Sequence, residues 1–420
     1  MELKHKKVLV LGYEKTGKAV AQFLTQKEAD ITIYDRKTHV TSFKYISQYN
    51  NEYFDLAVIS PGVSIYSEIV QNLKRNGIKV ISEIELAYLF CRGKIIAITG
   101  TNGKTTTVSI IASILDTAKK RVFLCGNIGT PFISKINEIE KDDYVVVEVS
   151  SFQLEATNKF SPLIAGILNI KEDHLDRHKT FDIYKTEKLK IYQNMKSGLI
   201  VLNSELNSIS TPNIKKEFFS SDLEGEAFIR KNFLCYKTKK IIHISKLNLY
   251  GSKNYENILC AIIICKYLKI KTRFITRALK KFKPEKHRLQ LVGVKKGIIF
   301  IDDSKATNVS SSIFAQSCFK NVILLLGGSY KGYEYDDAVQ RDNIRHVVAF
   351  GEVRERVKEA CIRQQKSVFQ AVNLYQATTI AFQLATKGDV VLLSPASASF
   401  DEFSSYKERG DKFKEYVESL

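Results

Sequence analysis

The feature that most restricts the fold is a glycine-bearing loop between an apolar run and a helical pattern. Residues 95–98 are apolar, residues 99–107 read Thr-Gly-Thr-Asn-Gly-Lys-Thr-Thr-Thr, and a helical pattern follows at residues 108–115. In such a loop, glycines let backbone N–H groups approach phosphate oxygens at a helix N-terminus, while a lysine adds positive charge and a hydroxyl can bind Mg²⁺. The order predicts a phosphate-binding α/β unit, although Ile98 stands five positions before Gly103, where the general pattern has glycine.

The chain of 420 residues is long enough for two to four domains, since one domain takes roughly 100 to 200 residues. Residues 1–92 alternate short apolar runs with amphipathic stretches, which is typical of a Rossmann-like βαβ unit. After residue 93 the apolar runs become continuous, which indicates strands buried on both faces of a mostly parallel sheet, as in P-loop ATPases. The predicted fold class is α/β with three domains, at residues 1–92, 93–285 and 286–420.

The last boundary follows a basic, helix-like segment at residues 272–286, which contains Pro284. Apolar runs resume at residues 289–292 and 298–301, and they predict a second Rossmann-like α/β domain at the C-terminus. Within the central domain, residues 205–249 are less regular, and this pattern predicts a β-rich insertion.

The first βαβ unit resembles a dinucleotide-binding unit only in part. Gly12 and Gly17 bracket the first turn, and Asp35 ends the second apolar run about twenty residues later. The middle glycine, which would let the backbone approach a pyrophosphate, is missing, and this argues against a nicotinamide-dependent dehydrogenase. Nucleotide binding in another pose stays open, and the turn at residues 60–64 can also present backbone donors to an anion.

Three apolar runs of the central domain end in groups that suit metal or acid–base chemistry. Glu148 stands where a magnesium-binding carboxylate of an ATPase belongs, and Asn127 follows the run before it. His174 lies in a stretch dense in acidic and basic residues after the third run. The carboxyl ends of strands in one sheet assemble ligand sites, so these groups are candidates for one site. Lys188 falls in a later helical pattern and, from the residues alone, is an ordinary lysine on a helix surface.

The net charge of +19 would suit nucleic acid, an anionic membrane surface or phosphate-bearing small molecules. The lysines are spread along the chain without a basic block interleaved with aromatic residues, so no nucleic-acid partner is predicted. No run approaches the roughly 18 apolar residues that a membrane span needs, and the seven cysteines show neither paired nor metal-type spacing. These features predict a cytoplasmic protein with reduced thiols and no membrane partner.

Several stretches together closely resemble the Mur ligase family. In the central domain they are the phosphate loop, Glu-Val-Ser-Ser at 148–151, Glu-Asp-His-Leu-Asp-Arg-His at 172–178, Tyr-Lys-Thr-Glu-Lys-Leu at 184–189 and Asn-Tyr-Glu-Asn at 254–257. Lys253 stands where a histidine is usual in that family, and His287 with Arg288 resembles a hinge pair that introduces the third domain.

In the third domain, the resemblance is to the branch of the family that adds D-glutamate. The stretches that carry it are residues 302–308, 327–332 and 393–403. Ser397 replaces a frequent cysteine and Phe400 a frequent leucine, which loosens the match around the amino-acid pocket.

The resemblance implies an ATP-dependent ligase of peptidoglycan precursor synthesis. In this reaction the carboxylate of UDP-N-acetylmuramoyl-L-alanine attacks the γ-phosphate of ATP, and the amine of D-glutamate then displaces the acyl phosphate. The first domain would bind the nucleotide sugar, the central domain ATP with two Mg²⁺ ions, and the third domain the amino acid. A monomer with these small-molecule partners is expected.

The resemblance also assigns individual residues. The candidate catalytic residues are Lys104, His174 and Lys188. ATP contacts are expected from Gly100, Thr101, Asn102, Gly103, Lys104, Thr105, Thr106, Asn254, Asn257, Arg288, Asp303 and Lys305. Substrate contacts are expected from Thr16, Asp35, Arg36, Gly62, Asn127, Thr307, Lys331, Ser399, Phe400 and Tyr406. Metal ligands are expected from Thr105, Glu148, Ser150, His174 and a carbamylated Lys188. Carbamylation turns a lysine ammonium into an anion with two oxygens, which a hard cation requires.

Other classes of enzyme stay open at this point. Folylpolyglutamate synthetases share the ATP loop and the reaction class but lack the first βαβ unit and the stretch Asp-Ser-Lys-Ala-Thr-Asn at residues 303–308. Sister Mur ligases would add another amino acid. A dehydrogenase would need the missing fingerprint, and a nucleic-acid-binding NTPase would need a focused basic stripe.

Overall fold

The computed structural model describes residues 1–36, 42–222, 225–332 and 334–420. Within these residues the strands form three sheets, of five, nine and six strands. The chain divides into two compact units, residues 1–243 with 256–279 and residues 244–255 with 280–420. The first two sheets belong to the first unit and the third sheet to the second. The predicted α/β class is confirmed, whereas the boundaries at residues 92 and 285 stay predictions.

The first sheet is parallel throughout and has the order β3-β2-β1-β4-β5. Its elements are β1 (Lys7–Leu11), α1 (Lys15–Gln26), β2 (Asp30–Tyr34), β3 (Lys44–Ile46), β4 (Leu56–Ile59), α2 (Glu68–Arg75), β5 (Val80–Ser82) and α3 (Glu83–Phe90). The strand order reverses direction between β1 and β4. In open parallel sheets, ligands bind outside the carboxyl ends of the strands at such a point.

Gly17 lets α1 begin directly against the turn that follows β1. A Cβ atom on Gly17 would lie 1.9 Å from the carbonyl oxygen of Gly12, so only glycine permits this approach. Ser60 Oγ donates to the same carbonyl oxygen at 2.9 Å, and this bond joins the turn after β4 to the turn after β1.

The central sheet has the order β14-β13-β12-β11-β10-β9-β6-β8-β7. Its strands are β6 (Lys94–Thr99), β7 (Val122–Gly126), β8 (Tyr144–Glu148), β9 (Ile164–Ile167), β10 (Leu199–Asn203), β11 (Lys215–Ser220), β12 (Ala227–Arg230), β13 (Phe233–Tyr236) and β14 (Lys239–His243). Its helices are α4 (Lys104–Thr117), α5 (Ser151–Leu154), α6 (Leu175–His178), α7 (Phe181–Gln193), α8 (Ser252–Tyr267) and α9 (Thr272–Lys281). Short 3-10 helices span Phe132–Glu138, Ser204–Leu206 and Ile244–Lys246. The pairs β12–β13 and β13–β14 are antiparallel, and the other pairs are parallel.

The first and central sheets share buried contacts around α3. Glu85 is fully buried and accepts hydrogen bonds at 3.1, 2.8 and 2.9 Å from the backbone N–H groups of Asn158, Lys159 and Phe160. Glu83 accepts one at 2.7 Å from the N–H of Ile133, and within the described part of the chain its Oε2 has no hydrogen-bond partner. Burial raises the pKa of Glu83 to about 7. These bonds fix α3 between the two sheets.

The third sheet has the order β15-β16-β20-β17-β18-β19, with β15 antiparallel to β16 and the other pairs parallel. Its elements are β15 (Gln290–Lys295), β16 (Ile298–Asp302), α10 (Val309–Gln316), β17 (Val322–Gly327), α11 (Asp336–Val339), β18 (Ile344–Phe350), α12 (Arg354–Arg363), β19 (Val368–Gln370), α13 (Leu374–Leu384), β20 (Val390–Ala396) and α14 (Tyr406–Ser419).

Two expectations about local structure need correction. Residues 205–249 are β-rich as predicted, but β11 to β14 continue the central sheet beyond β10 and do not form a separate insertion. The helix predicted over residues 272–286 ends at Lys281, three residues before Pro284, because the residue before a proline avoids helical backbone angles.

Candidate functional site

Four neighbouring parallel strands of the central sheet, β9, β6, β8 and β7, end at one edge, and each is followed by polar groups. Strand β6 leads into the phosphate loop, β8 ends in Glu148, and β7 is followed by Asn127. In the register of the sheet, Glu148 lies beside Ile98 on one side and Gly126 on the other. The sheet therefore brings the phosphate loop, Glu148 and Asn127 to its carboxyl edge.

The phosphate loop is held open by glycine geometry. Gly103 has φ of 84°, and a Cβ atom there would lie 2.3 Å from Oδ1 of Asn257, so glycine is required for two reasons. Lys104 Nζ donates to the carbonyl oxygens of Gly100 and Thr101 at 2.8 and 2.9 Å. This conformation places the lysine amine on the loop at the N-terminus of α4, where a phosphate would bind.

Thr105, Glu148 and Asn127 form a direct hydrogen-bonded set, as the sequence predicts for a magnesium site. Thr105 Oγ1 donates to Oε2 of Glu148 at 2.9 Å, and Asn127 Nδ2 donates to Oε1 of Glu148 at 2.9 Å. The described residues contain no group of three or more His, Cys, Asp or Glu side chains that could enclose a metal ion. One hydroxyl with one carboxylate fits Mg²⁺, which keeps waters and completes its shell with substrate phosphates.

Lys188 is not a surface lysine, so the interpretation based on the residues alone is wrong. Its side chain is 2% exposed, and Nζ donates to the carbonyl oxygen of Gly100 at 2.9 Å. Burial, reinforced by the positive charge of Lys104, lowers the pKa of Lys188 well below its usual value. The helical pattern of α7 did not reveal this because Lys188 faces the phosphate loop from a helix that is only weakly amphipathic in sequence.

His174 and Ser150 lie at helix N-termini. His174 is the N-cap of α6 with φ of 54°, a left-handed conformation that is uncommon outside glycine, and its side chain is 49% exposed. Its Nε2 lies 3.5 Å from Oδ2 of Asp173. Ser150 caps α5 through a capping box with Gln153. Among the described residues no hydrogen bond joins His174 to Lys188, and the proposed metal roles of these residues stay predictions.

The first sheet carries a cleft of about 610 Å³ at the carboxyl ends of β1, β2 and β4. The predicted residues Thr16, Asp35, Arg36 and Gly62 all line it. Oδ2 of Asp35 accepts from the backbone N–H of Tyr13 at 2.7 Å, which fixes this carboxylate on the first turn. A larger cleft of about 890 Å³, lined by residues near 91–95, 158–163 and 193–197, contains none of the predicted site residues.

Other predicted ATP contacts lie on α8 and in the second unit. Asn254 and Asn257 are both buried on α8, and Asn254 Nδ2 donates to the carbonyl oxygen of Tyr250 at 2.8 Å. In the second unit, Lys305 Nζ donates to Oε1 of Glu285, and Arg288 Nε donates to Oε2 of the same carboxylate at 3.4 Å.

Asp303 is buried at the end of β16. It accepts from Ser394 Oγ at 3.0 Å and from the N–H of Leu289 at 3.1 Å, and burial raises its pKa to about 7. Asp303 is thus tied to the turn at Arg288. A contact with ATP stays a prediction.

The predicted amino-acid residues share the carboxyl edge of the third sheet. They follow strands β16, β17 and β20 or begin α14, and are Thr307, Lys331, Ser399, Phe400 and Tyr406. Ser399 is buried, whereas Lys331 and Phe400 are exposed. Arg409 of α14 is fully buried beneath this edge and donates to the carbonyl oxygens of Ser304, Ser397 and Ala398 at 3.0, 2.9 and 3.0 Å. Burial lowers the pKa of Arg409 to about 10.

Two residues that shape the phosphate loop were missed by the sequence analysis. Asn169 accepts from the N–H of Asn102 at 2.9 Å and donates to its carbonyl oxygen at 3.1 Å. The hydroxyl of Tyr184 lies 3.0 Å from Oγ1 of Thr101. A signal was present, because Asn169 follows the β9 run and Tyr184 lies four residues before Lys188 on the same helix face.

Comparison with known proteins also indicates a Mur ligase, and the similarity extends along the whole chain. Three family models match, described as Mur ligase MurD-like, N-terminal domain at residues 6–82, Mur ligase middle domain at 98–265, and Mur ligase, glutamate ligase domain at 287–397. A UDP-N-acetylmuramoylalanine–D-glutamate ligase of Caldanaerobacter subterraneus is 36% identical, over 100% of this chain and 100% of that protein. One of Caldicellulosiruptor saccharolyticus is 37% identical, again over 100% of both chains.

Solved structures agree at the level of fold. The MurF ligase of Thermotoga maritima in complex with ADP has a TM-score of 0.58 and 17% identity, over 100% of this chain and 96% of that one. A pseudomurein peptide ligase type C from Methanothermus fervidus has a TM-score of 0.57 and 18% identity, over 99% of both chains.

The sheets, the phosphate loop and the full-length relatives together define an ATP-dependent acid–amino-acid ligase. The chain belongs to the Mur ligase family. The family predicted from the sequence is confirmed, and so is the prediction of an enzyme. Among the described residues no helix has both the length and the apolar character needed to cross a membrane.

Proposed function

We propose that the chain joins D-glutamate to UDP-N-acetylmuramoyl-L-alanine at the expense of ATP in peptidoglycan precursor synthesis. The observation that carries this proposal is the 36–37% identity, from end to end, to proteins named for that ligation. The MurD-like N-terminal match at residues 6–82 supports the same branch. The MurF ligase of Thermotoga maritima, at 17% identity, resembles this chain at the level of fold.

ATP binds with its phosphates on the loop at residues 100–106. The backbone N–H groups of the loop and the amine of Lys104 hold the β- and γ-phosphates, which keeps the γ-phosphorus in place for attack by a carboxylate. Thr105 and Glu148 would hold Mg²⁺, which would neutralise charge on the phosphates. When ATP enters, Lys104 exchanges its bonds to the carbonyl oxygens of Gly100 and Thr101 for bonds to phosphate.

The uridine nucleotide binds in the cleft of the first sheet. Thr16, Arg36 and the turn at residues 60–64 line this cleft and offer hydroxyl, guanidinium and backbone donors to the diphosphate. The acyl end of the substrate then reaches the edge that carries Glu148 and Asn127, and its carboxylate attacks the γ-phosphorus. An acyl phosphate and ADP result. The amine of D-glutamate displaces phosphate from the acyl carbon and loses a proton.

Lys188, as a carbamate, and His174 would hold a second Mg²⁺, which would supply further positive charge at the phosphates. Burial lowers the pKa of Lys188 and so favours the neutral amine, which is the form that adds carbon dioxide. In this structure Lys188 Nζ donates to the carbonyl oxygen of Gly100. A carbamate would replace this amine with a buried anionic group. Ser150, whose hydroxyl now caps α5, would supply a further oxygen.

The third sheet selects the amino acid. Lys331, Thr307 and Ser399 offer one cation and two hydroxyls at its carboxyl edge, which suits the two carboxylates of D-glutamate. Arg288, Asp303 and Lys305 stay predicted ATP contacts. The enzyme acts as a monomer in the cytoplasm, where both nucleotides are available, and its seven free cysteines suit a reducing compartment.

Phosphate release tests the proposal. Each of three acceptors, UDP-N-acetylmuramate, its L-alanyl form and its L-alanyl-D-glutamyl form, is combined with L-alanine, D-glutamate, a diamino acid or no amino acid. Tetrahydrofolate with L-glutamate is assayed in parallel. Phosphate release above background is expected only for the L-alanyl acceptor with D-glutamate. Turnover with another pair would move the chain to a sister branch, and turnover with the folate would move it to the synthetases.

A further inference from the structure

Arg177 on α6 reaches from the central domain into the turn that lines the nucleotide cleft. Its Nη1 donates to the carbonyl oxygen of Pro61 at 2.7 Å, and its Nη2 donates to that of Val63 at 2.9 Å. Both acceptors belong to residues that line the cleft, and exposed Gly62 lies between them. The guanidinium therefore holds the two carbonyl groups that flank Gly62.

The other side of the same guanidinium binds a buried carboxylate. Nε and Nη2 of Arg177 donate to Oε1 and Oε2 of Glu155 at 3.0 and 2.5 Å, and the Glu155 side chain is completely buried. Such a fork fixes the plane of the guanidinium as well as its position. A Lys ammonium, a point charge on a flexible stem, cannot reproduce the plane.

Phe152 joins this pair to His174. The centre of its ring lies 4.2 Å from Cζ of Arg177 and 4.8 Å from the ring centre of His174. The N–H of Arg177 also donates to the carbonyl oxygen of His174 at 3.1 Å. Arg177, which holds the cleft turn, and His174, which is proposed to act near the reacting groups, thus belong to one contiguous cluster.

Peptide geometry gives the fixed carbonyl groups a consequence for the cleft. In a planar trans peptide the C=O and the following N–H point in opposite directions. Because the carbonyl groups of Pro61 and Val63 point at Arg177, the N–H groups of Gly62 and Ser64 point away from it. Gly62 and Ser64 line the cleft, and among the described residues neither N–H donates a hydrogen bond within the chain.

We propose that Arg177 is a positioning residue that aims the Gly62 and Ser64 N–H groups at an anionic oxygen of the uridine-nucleotide acceptor. Glu155 holds the guanidinium in the orientation that this requires. The inference rests on the proposed function, because it takes the cleft to be the acceptor site. The anionic oxygen belongs to the diphosphate or to the carboxylate end, and the chemistry of two backbone donors is the same for both.

The test compares Arg177→Lys and Arg177→Met with the wild-type chain. The KM for the acceptor should rise at least tenfold in Arg177→Met and less in Arg177→Lys, which keeps the positive charge and N–H donors but not the planar fork, while the KM for ATP should change less than twofold. Calorimetric binding of UDP alone identifies the source of the anion. If Arg177→Met weakens the binding of UDP, the Gly62 and Ser64 N–H groups bind the diphosphate. If it weakens only the binding of the complete acceptor, they bind the carboxylate end.

Arg345→Lys is the matched control. Arg345 donates from Nη1 to Oδ2 of buried Asp389 at 2.5 Å, so it also pairs with a buried carboxylate, but it lies at the amino end of β18, whereas the predicted residues of the third sheet lie at its carboxyl edge. Its variant should lose thermal stability without changing the KM of the acceptor. If Arg177→Lys and Arg177→Met resemble it, or raise both KM values equally, Arg177 is only structural and the inference is wrong. If the wild-type chain does not ligate D-glutamate, the proposed function fails, whereas UDP binding still tests Arg177.

Discussion

At the scale of single residues, two lysine amines share one acceptor. Lys104 and Lys188 both donate to the carbonyl oxygen of Gly100, at 2.8 and 2.9 Å, although their like charges oppose each other. Burial and the charge of Lys104 favour the neutral form of Lys188. The lysine proposed to form a carbamate therefore lies directly against the phosphate loop.

Replacement of Lys188 by alanine should abolish most ligation, because the proposed anionic metal ligand is lost. Acetate or formate should restore part of the activity by placing a carboxylate in the vacated space, whereas chloride at equal ionic strength should not. Ligation rates measured with each salt check this expectation. Lys185→Ala, on the same helix α7, should keep normal activity. Normal turnover of Lys188→Ala, or equal effects of acetate and chloride, would rule out the carbamate.

Glu83 should make stability depend on pH. Its pKa is about 7 in the folded chain and about 4.5 when exposed, so its stabilising contribution is fully present below about pH 4.5 and is lost as the pH rises to about 7. At pH 8, the unfolding free energy of Glu83→Gln should therefore exceed that of the wild-type chain by up to about 3 kcal/mol. Its melting temperature should be higher as well. At pH 4.5 the two should match. Calorimetric melting at both pH values gives the comparison, and a difference that does not change with pH would contradict the assignment.

The site residues that could be predicted from the sequence are those whose residue type and spacing indicate a chemical role. Residues whose role depends on long-range contacts were missed. Lys104, Thr105 and Glu148 follow strands at fixed spacing, and the structure brings Thr105 and Glu148 within 2.9 Å. The burial of Lys188 could not be predicted because it depends on how α7 packs against the phosphate loop. The contact between Arg177 and residues 61–63 joins positions 114 and 116 residues apart, and local pattern carries no information at that separation.

At the scale of elements, the predicted strands share continuous apolar runs, and most of the missed strands are short. β3, β5 and β19 have three residues each, too few for a period of two to be recognised. β18 (Ile344–Phe350) is an exception, because it has seven residues inside the third sheet and was missed although only Arg345 and His346 interrupt its apolar run. The shape of the candidate sites depends on the turns between elements more than on the elements themselves. The approach of α1 to the first turn, for example, depends on a single glycine.

Gly17→Ala should weaken the first sheet and its cleft together. The new Cβ atom would meet the Gly12 carbonyl oxygen at 1.9 Å, so either α1 or the turn must move. We expect a cost of about 1–3 kcal/mol in unfolding free energy and weaker UDP binding, with binding of an ATP analogue unchanged. Gly293→Ala serves as the control because no atom lies within 4 Å of its added Cβ. Unchanged UDP affinity in Gly17→Ala would show that the turn does not shape the cleft.

At the scale of the whole molecule, the net charge of +19 should attract the two polyanionic substrates. Raising the salt concentration shortens the range of this attraction from about 10 Å at 0.1 M to about 3 Å at 1 M. The KM values for ATP and for the uridine nucleotide should rise together over this range, and that for D-glutamate should rise less. Initial rates in a potassium chloride series give the three values. Equal salt dependence for all three substrates would exclude steering by the net charge.

Residues 256–279 complete the first compact unit, although residues 244–255 before them belong to the second. When a ribosome has released the chain only as far as residue 243, the central sheet still lacks α9 and most of α8. The α8 side chains from Ile258 to Cys265 are fully buried in the finished protein, so the surface that they cover stays apolar and open until residue 279 emerges. The two units are therefore not made one after the other, and nascent chains that end between residues 243 and 279 leave part of this apolar surface uncovered.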